Sequence, residues 1–421
     1  MKVLVFLIQG FIILCISAST ALGGIAGRKT QNTNLDSITK VAYNLNAKGY
    51  EKYLNGEFTK AIKFFKNSSA FFHTYDIKNN DILITNYIIL GVIHKKIGDY
   101  LFSLKYYDSA EMVINRTKSK ANEYYYGAVL TNIANNYRLT GSIKKAMIHY
   151  NRAEKIFIKD SLNHIIELSK LYNNIGILHV QQTDLKKAEI YFKRSLQLRK
   201  KNNHKILENT LYYLGYIAWK SGRYEKAHDY YFSAIKNRIN RHGEKYHRLA
   251  PVYMSYGAFL QEQKKPDSAL LYLQKAKKIA IENFGTRHPL TAESYLYLGD
   301  YQRKQQNFKT ALNYYQKAVL SISPDFSDTC IYRNPKLDKK TLPDRLLIRA
   351  VRKKAETFRQ IAGKNKGSKA ESLKYLKASH NSYTRTVSFL ELLKTRMFFT
   401  ESKMLISENA ESIYAGCIQT A

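Results

Sequence analysis

Cysteine is scarce in this chain. Cys15, Cys330 and Cys417 are the only three in 421 residues, too few for a disulfide framework and wrongly spaced for a zinc site. Cys330 and Cys417 read as two isolated thiols, with pairing in an oxidising compartment as the alternative. Proline (6) and glycine (20) are too sparse for collagen-like, mucin-like or extensively disordered chains. Past the N-terminus no apolar run approaches the roughly 18 residues that a membrane span needs. Motifs of chemistry are missing as well: there is no Walker-type phosphate loop, no zinc-binding His-Glu-x-x-His and no glycine-flanked serine elbow. The eleven histidines are scattered, and His94 and His179 fall on apolar helix faces, which suits core histidines better than ligands. No catalytic activity, cofactor or metal is expected.

Acidic residues are also in short supply. Lys plus Arg number 68 against 33 Asp plus Glu, a net charge of +35. Nucleic acid is not the expected partner, because the basic residues are spread along the chain rather than clustered and the N-terminus reads as an export signal. Lys2 supplies the positive end, Val3 to Ile16 an apolar stretch broken by Gln9 and Gly10, and Ser19-Thr20-Ala21 the small residues for cleavage. Residues 1–22 are expected to be removed. An uncleaved N-terminal membrane anchor is the alternative, since the apolar stretch through Leu22 is just long enough to span. Leu14 before Cys15 argues against a lipid-modified cysteine. The expected location is exported, periplasmic or cell-envelope, and the charge then fits an anionic envelope surface or an acidic partner. Compositional drift in a chain rich in Lys, Asn, Ile and Tyr accounts for it equally well.

What is abundant is period. A small residue, an aromatic or large apolar one four later and a small one three further recur seven times: Ala61, Phe65, Ser68; Ser103, Tyr107, Ala110; Ala146, Tyr150, Ala153; Ala188, Phe192, Ser195; Ala227, Tyr231, Ala234; Ala269, Leu273, Ala276; Ala311, Tyr315, Ala318. The leading residues are 42, 43, 42, 39, 42 and 42 apart. Twelve residues before each stands another small residue: Gly49, Gly91, Ala134, Gly176, Gly215, Gly257 and Gly299. Spacings such as Leu211, Leu214, Gly215, Ala218 put apolar and small side chains on one helix face. Each period is thus two helices whose close approach the small residues permit, with the second helix's aromatics filling the space between hairpins. Gly56, Gly98, Gly141 and Gly222 mark the turns.

This pattern resembles the tetratricopeptide repeat over roughly residues 40–324. A period near 42 is similar to the lengthened form of kinesin light chains, whose connector Gly285, His288, Pro289 and Ala292 match and Gly243, Tyr246, His247 and Ala250 match in part. Lys48, Pro266 and the absence of tryptophan at its usual first-helix place are departures. The resemblance implies an all-α, right-handed α-solenoid of about seven tetratricopeptide hairpins, followed by a loop over 325–340 and a degenerate helical segment over 341–421. In that segment Leu346, Leu347, Ala350, Lys354 and Phe358 mark one helix, and Ser379, Tyr383 and Thr386 a worn copy of the triplet. The succession of repeats, Tyr332-Arg333-Asn334-Pro335, a long helical pair, Glu401-Ser402-Lys403, and Tyr414 and Ala415 resembles the helical part of bacterial proteins that carry a caspase-like CHAT peptidase. The peptidase itself is expected to be absent.

In such a stack the first helices line the concave face. Residues off their packing faces are the candidate peptide-binding set: Asn132, Asn135 and Arg138 in repeat three, Asn173 and Asn174 in repeat four, and Tyr212, Tyr216 and Trp219 in repeat five. Asparagine amides bond an extended main chain without reading its sequence, and aromatics add apolar contact at low entropic cost. Kinesin-light-chain-like repeats use first-helix asparagines on peptide ligands, which the resemblance extends to these positions. The expected function is a non-enzymatic scaffold for a protein or peptide, with an acidic one favoured by the charge. The alternatives are a regulatory fragment of a CHAT-type peptidase and the periplasmic sensor arm of a signalling protein.

Overall fold

The computed structural model describes residues 29–75, 77, 80–117, 121–201, 208–337, 345–364, 369–395 and 410–420. The signal segment 1–22, Cys15 and the Glu401-Ser402-Lys403 motif lie outside them. Every regular element among the described residues is a helix. They divide between Asn122 and Glu123 into two compact units. The first holds α1 (Lys29–Leu54), α2 (Phe58–Thr74), α3 (Asn80–Lys96) and α4 (Tyr100–Thr117), paired as α1/α2 and α3/α4. The border falls just inside α5 (Ala121–Thr140). The second unit continues with α6 (Ile143–Lys159), α7 (Ile165–Gln181), α8 (Leu185–Lys201), α9 (Glu208–Lys220), α10 (Tyr224–His242), α11 (Leu249–Glu262), α12 (Pro266–Phe284), α13 (Pro289–Lys304), α14 (Phe308–Ile322), α15 (Arg345–Lys364), α16 (Lys369–Thr395) and α17 (Glu411–Ile418). Within each unit, consecutive hairpins stack in chain order as a tetratricopeptide-type solenoid.

The recurring glycine explains how each hairpin closes. A methyl group on Gly91 would lie 2.4 Å from the Tyr107 ring, and one on Gly299 2.4 Å from Tyr315. The same partnership joins Gly49 to Phe65, Gly176 to Phe192, Gly215 to Tyr231 and Gly257 to Leu273. The triplet's large residue is therefore seated against the first helix of its own hairpin, rather than only between hairpins as its period alone suggested. These large side chains and their flanking small residues are fully or almost fully buried. Burial of this kind stabilises by about 1.5–3 kcal/mol for each large apolar side chain.

The turn between the two helices places one residue in the left-handed region, as with Gly98 at φ 84°. Three repeats fill this place without glycine: Thr183, Lys264 and Gln306 have φ of 60°, 55° and 63°. Their spacing from the glycine turns keeps the repeat period, which is why glycine alone did not reveal them.

After α14 the chain runs irregularly through Ser323–Leu337, then forms the α15/α16 hairpin. Lys354 lies on the buried side of α15 with 0% exposure. Its ammonium donates to Gln316 Oε1 (2.5 Å), the Arg333 carbonyl (2.6 Å) and Asn334 Oδ1 (2.8 Å). Gln316 in turn donates to the Asp328 carbonyl at 2.7 Å, and Asn334 to Ser382 Oγ at 3.1 Å. One lysine thus fastens the irregular segment to α14, and the segment reaches α16 through Asn334. The worn triplet on α16 also has a partner. Ser379 Oγ donates to the Ala355 carbonyl at 2.8 Å, and Tyr383 closes on Gly416 of α17, where a methyl would lie 2.5 Å from the ring. The glycine here follows its aromatic in the chain instead of preceding it.

Candidate functional site

The first helices α5, α7 and α9 carry the candidate residues, and many of their polar groups already have partners. Asn135 Oδ1 accepts from the Tyr150 hydroxyl at 2.7 Å. Burial pushes that phenol up to about 12, opposed by the nearby Arg138, so it remains a donor at neutral pH. Asp300 plays the same part for Tyr315 in the α13/α14 hairpin, again at 2.7 Å. Asn132 Nδ2 bonds the carbonyl of Ala128 one turn earlier, at 3.1 Å.

Other candidates tie neighbouring first helices together. Arg138 Nη1 donates to Gln181 Oε1 at 3.4 Å, Thr210 Oγ1 to Asn173 Oδ1 at 2.9 Å, and Trp219 Nε1 to Glu262 Oε2 at 2.7 Å. Gln261 continues the series by donating to the Tyr301 carbonyl at 3.0 Å. Trp219 is 7% exposed and belongs to the hydrophobic core of the fifth and sixth hairpins, with Lys220 3.7 Å above its ring. Its two neighbours on α9, Tyr216 and Lys220, take the flanks of the indole rather than opening it to solvent.

Asn174, Tyr212 and Tyr216 are half-buried at the surface of these helices, as are Asn132, Asn135, Arg138 and Asn173. The Asn174 amide makes no hydrogen bond to any described residue. Tyr216 stands edge-on to Trp219 at 6.0 Å, and Tyr212 lies 6.2 Å from the Tyr231 ring. Both are drawn into one neighbourhood with residues of α13 and α15 that the repeat pattern did not single out. Tyr297 feels Tyr216, Glu293 and Arg349, and burial pushes it up to about 12; Tyr212 is pushed well above the ordinary phenol value by burial, with Tyr297 adding to the rise. Arg349 sits 5.5 Å from the Tyr297 ring and 3.7 Å from Asp300, and Lys353 is 3.2 Å from Asp300. Burial also raises the Glu293 carboxyl, opposed by Arg349. Glu293 and Asp300 flank Tyr297 on α13 at helical spacing, a signal legible in sequence once repeat seven is aligned on repeat five. Arg349 is legible in no such way, since α15 belongs to no repeat.

His94 and His179 are both buried, stacked on Phe102 at 5.6 Å and Tyr191 at 5.5 Å. Burial lowers the His179 pKa, which favours the neutral ring. Cys330 and Cys417 are free thiols. Among the described residues no group of three or more His, Cys, Asp or Glu side chains is arranged to hold a metal, and no helix is long and apolar enough to cross a membrane.

Residues 167–239 and 248–319 match the family described as Tetratricopeptide repeat. The chain is 26% identical over 226 residues to Response regulator aspartate phosphatase E of Bacillus subtilis (strain 168), covering 53% of this chain and 57% of the relative. Response regulator aspartate phosphatase I of the same organism is 28% identical over 181 residues, with 40% and 44% covered. The chain thus spans about half the length of these curated relatives. Among solved structures, aspartyl phosphate phosphatase F from Bacillus subtilis is similar with a TM-score of 0.55 at 17% identity, covering 67% of this chain and 70% of that one. A Rap protein complexed with Competence and Sporulation Factor is similar at 0.51 and 12% identity, covering 91% and 100%. At these identities the structural likeness speaks for the fold. Residues 167–239 and 248–319 are thus tetratricopeptide repeats, and the flanking hairpins share their period and their glycine-to-aromatic closure.

Proposed function

We propose that the first-helix face of repeats three to seven binds a protein or peptide partner, and that the chain does so as an exported, non-enzymatic scaffold. The observation that carries this reading is the cluster of Tyr212 and Tyr216 with Tyr297, Glu293 and Arg349, with the unbonded amide of Asn174 on the same first-helix series. There half-buried aromatic rings stand beside polar groups, the composition that binding surfaces favour. The similar Rap protein whose structure holds Competence and Sporulation Factor supports partner binding on a fold of this kind. The +35 charge favours an acidic partner by raising its encounter rate more than its final affinity. The order of charge, apolar stretch and small residues in 1–22 supports export.

Partners isolated from envelope extract by the wild type and by Asn174→Ala/Tyr216→Ala test the surface. Weaker retention by the variant, with its helical fold retained, is expected; equal retention of the same partners overturns the assignment. Intact mass tests export: a species lacking about 22 residues is expected in the envelope, a full-length one in membranes would mean an anchor, and a full-length one in the cytosol would end the claim. A second reading follows from the 26% identity to an aspartate phosphatase of response regulators: the partner is a response regulator. Retention of a phosphorylated regulator, or its faster dephosphorylation, would select that reading.

A further inference from the structure

A second concave feature lies in the C-terminal part of the second unit, on surfaces that the repeat face does not use. The end of α14 at Ile322, the irregular segment from Ser323 to Lys336 and the outer face of α16 line a cleft of about 1050 Å³. Its α16 wall is a polar stripe, Asn381, Thr384, Arg385 and Ser388, at spacings of three, one and three that align one helix face. Its opposite wall brings Arg333. Neither guanidinium has an ion-pair or hydrogen-bond partner among the described residues, whereas Arg223, Arg303, Arg349 and Arg352 each face a carboxylate. Behind the surface of the cleft lies one unsatisfied group. Ser323 is 7% exposed and its hydroxyl bonds to nothing among the described residues.

The cleft's carboxylates, Asp325 and Asp328, are both exposed, and Asp328 Oδ1 already accepts from the Cys330 amide at 2.8 Å. The wall itself is held in place independently of its side-chain donors, because Lys354 grips the Arg333 main chain and Asn334. Two guanidiniums supplied by opposite walls offer the paired N–H donors that recognise carboxylates and phosphates, whereas Ser388 Oγ already donates to the Thr384 carbonyl at 3.0 Å. The volume is that of a small-molecule site rather than of a lone ion.

We propose that this cleft is a binding site for a small organic oxyanion, a carboxylate or a phosphate ester, held between Arg333 and Arg385. Arg333 serves the fold through its carbonyl, so its side chain is free to be exchanged without releasing Lys354.

Calorimetric titration of the full chain with inorganic phosphate and with succinate, each against sodium chloride at equal ionic strength, tests this. Saturable binding of either probe is expected, weakened about tenfold or more by Arg333→Gln and by Arg385→Gln, and less by Arg385→Lys, which keeps the charge. Binding of phosphate alone assigns the site to phosphate esters, of succinate alone to carboxylates, and of both to the shared chemistry. Lys186→Gln/Lys187→Gln on the surface of α8 is the control for general attraction to a cationic protein. No saturable binding, or equal weakening by the lysine pair, overturns the proposal. Far-UV circular dichroism identifies a variant that has lost its fold, and Arg385→Lys, which keeps the charge but not the paired donors, then carries the comparison.

Discussion

At the scale of single residues, the position that closes each hairpin is not equally tight along the chain. A methyl at Gly299 would be 2.4 Å from Tyr315, but at Gly215 3.1 Å from Tyr231, and repeat three already accommodates Ala134 there. Alanine gains about 0.5–1 kcal/mol over glycine in a helix interior, while overpacking costs about 1–3 kcal/mol. Gly299→Ala is therefore expected to lower the melting temperature clearly and Gly215→Ala to leave it almost unchanged; equal effects in thermal melts would contradict the contact. Asn135 belongs to the same scale. Its period marks it as a groove residue, yet its amide oxygen receives the buried Tyr150 hydroxyl. Asn135→Ala should cost about 1–3 kcal/mol, Asn174→Ala close to nothing, and Tyr150→Phe should remove most of the Asn135→Ala penalty. Additive losses in denaturant titrations of the double variant would show that the hydrogen bond is not the cause.

At the scale of elements, one turn carries backbone strain and the C-terminal hairpin carries a buried amine. Thr183 holds a left-handed conformation that strains a β-branched residue. Thr183→Gly removes that strain, of about 1–2 kcal/mol, against the extra backbone entropy of glycine, so a gain of up to about 1 kcal/mol is expected. Gly98→Thr should lose stability by a similar amount, and chemical denaturation of both reads the pair.

Lys354 makes the α15 hairpin sensitive to pH. Burial depresses it to about 7, with Cys330 and Asp328 opposing the fall. A lysine depressed in the folded state binds fewer protons there than in the unfolded chain between that value and the ordinary lysine range. Stability from this group therefore rises with pH across that window and is lost as pH falls toward about 7. Between pH values of about 7.5 and 9.5, below the titration of exposed tyrosines, unfolding free energy should climb in the wild type and stay flatter in Lys354→Met. Parallel curves would mean that the ammonium is stabilised in place by Gln316, Arg333 and Asn334.

At the scale of the whole molecule, the imbalance of charge acts on every hairpin at once. A net +35 leaves many more cations than the carboxylates can pair, and self-repulsion opposes the folded state. Raising salt from about 0.02 to about 0.2 M should raise the melting temperature by several degrees, because exposed like charges are then screened beyond about 10 Å. A fall instead would mean that ion pairs such as Lys353 with Asp300 outweigh the repulsion.

The helical-hairpin array, its period and the buried triplets were legible in the sequence, because a glycine and an aromatic sixteen residues apart are a local pattern that repeats. His94 and His179 were legible as core residues for the same reason. The candidate site was less so. Trp219, Asn135 and Asn173 share the first-helix face, but period cannot tell an open amide from one bonded to Glu262, Tyr150 or Thr210, since those partners come from another helix. The left-handed turns at Thr183, Lys264 and Gln306, the Gly416 partner of Tyr383 and the grip of Lys354 on the segment before α15 were likewise decided by tertiary packing. Each joins residues whose spacing obeys no repeat. Local periodicity determined which faces are buried; only the folded chain determined which buried and half-buried polar groups meet.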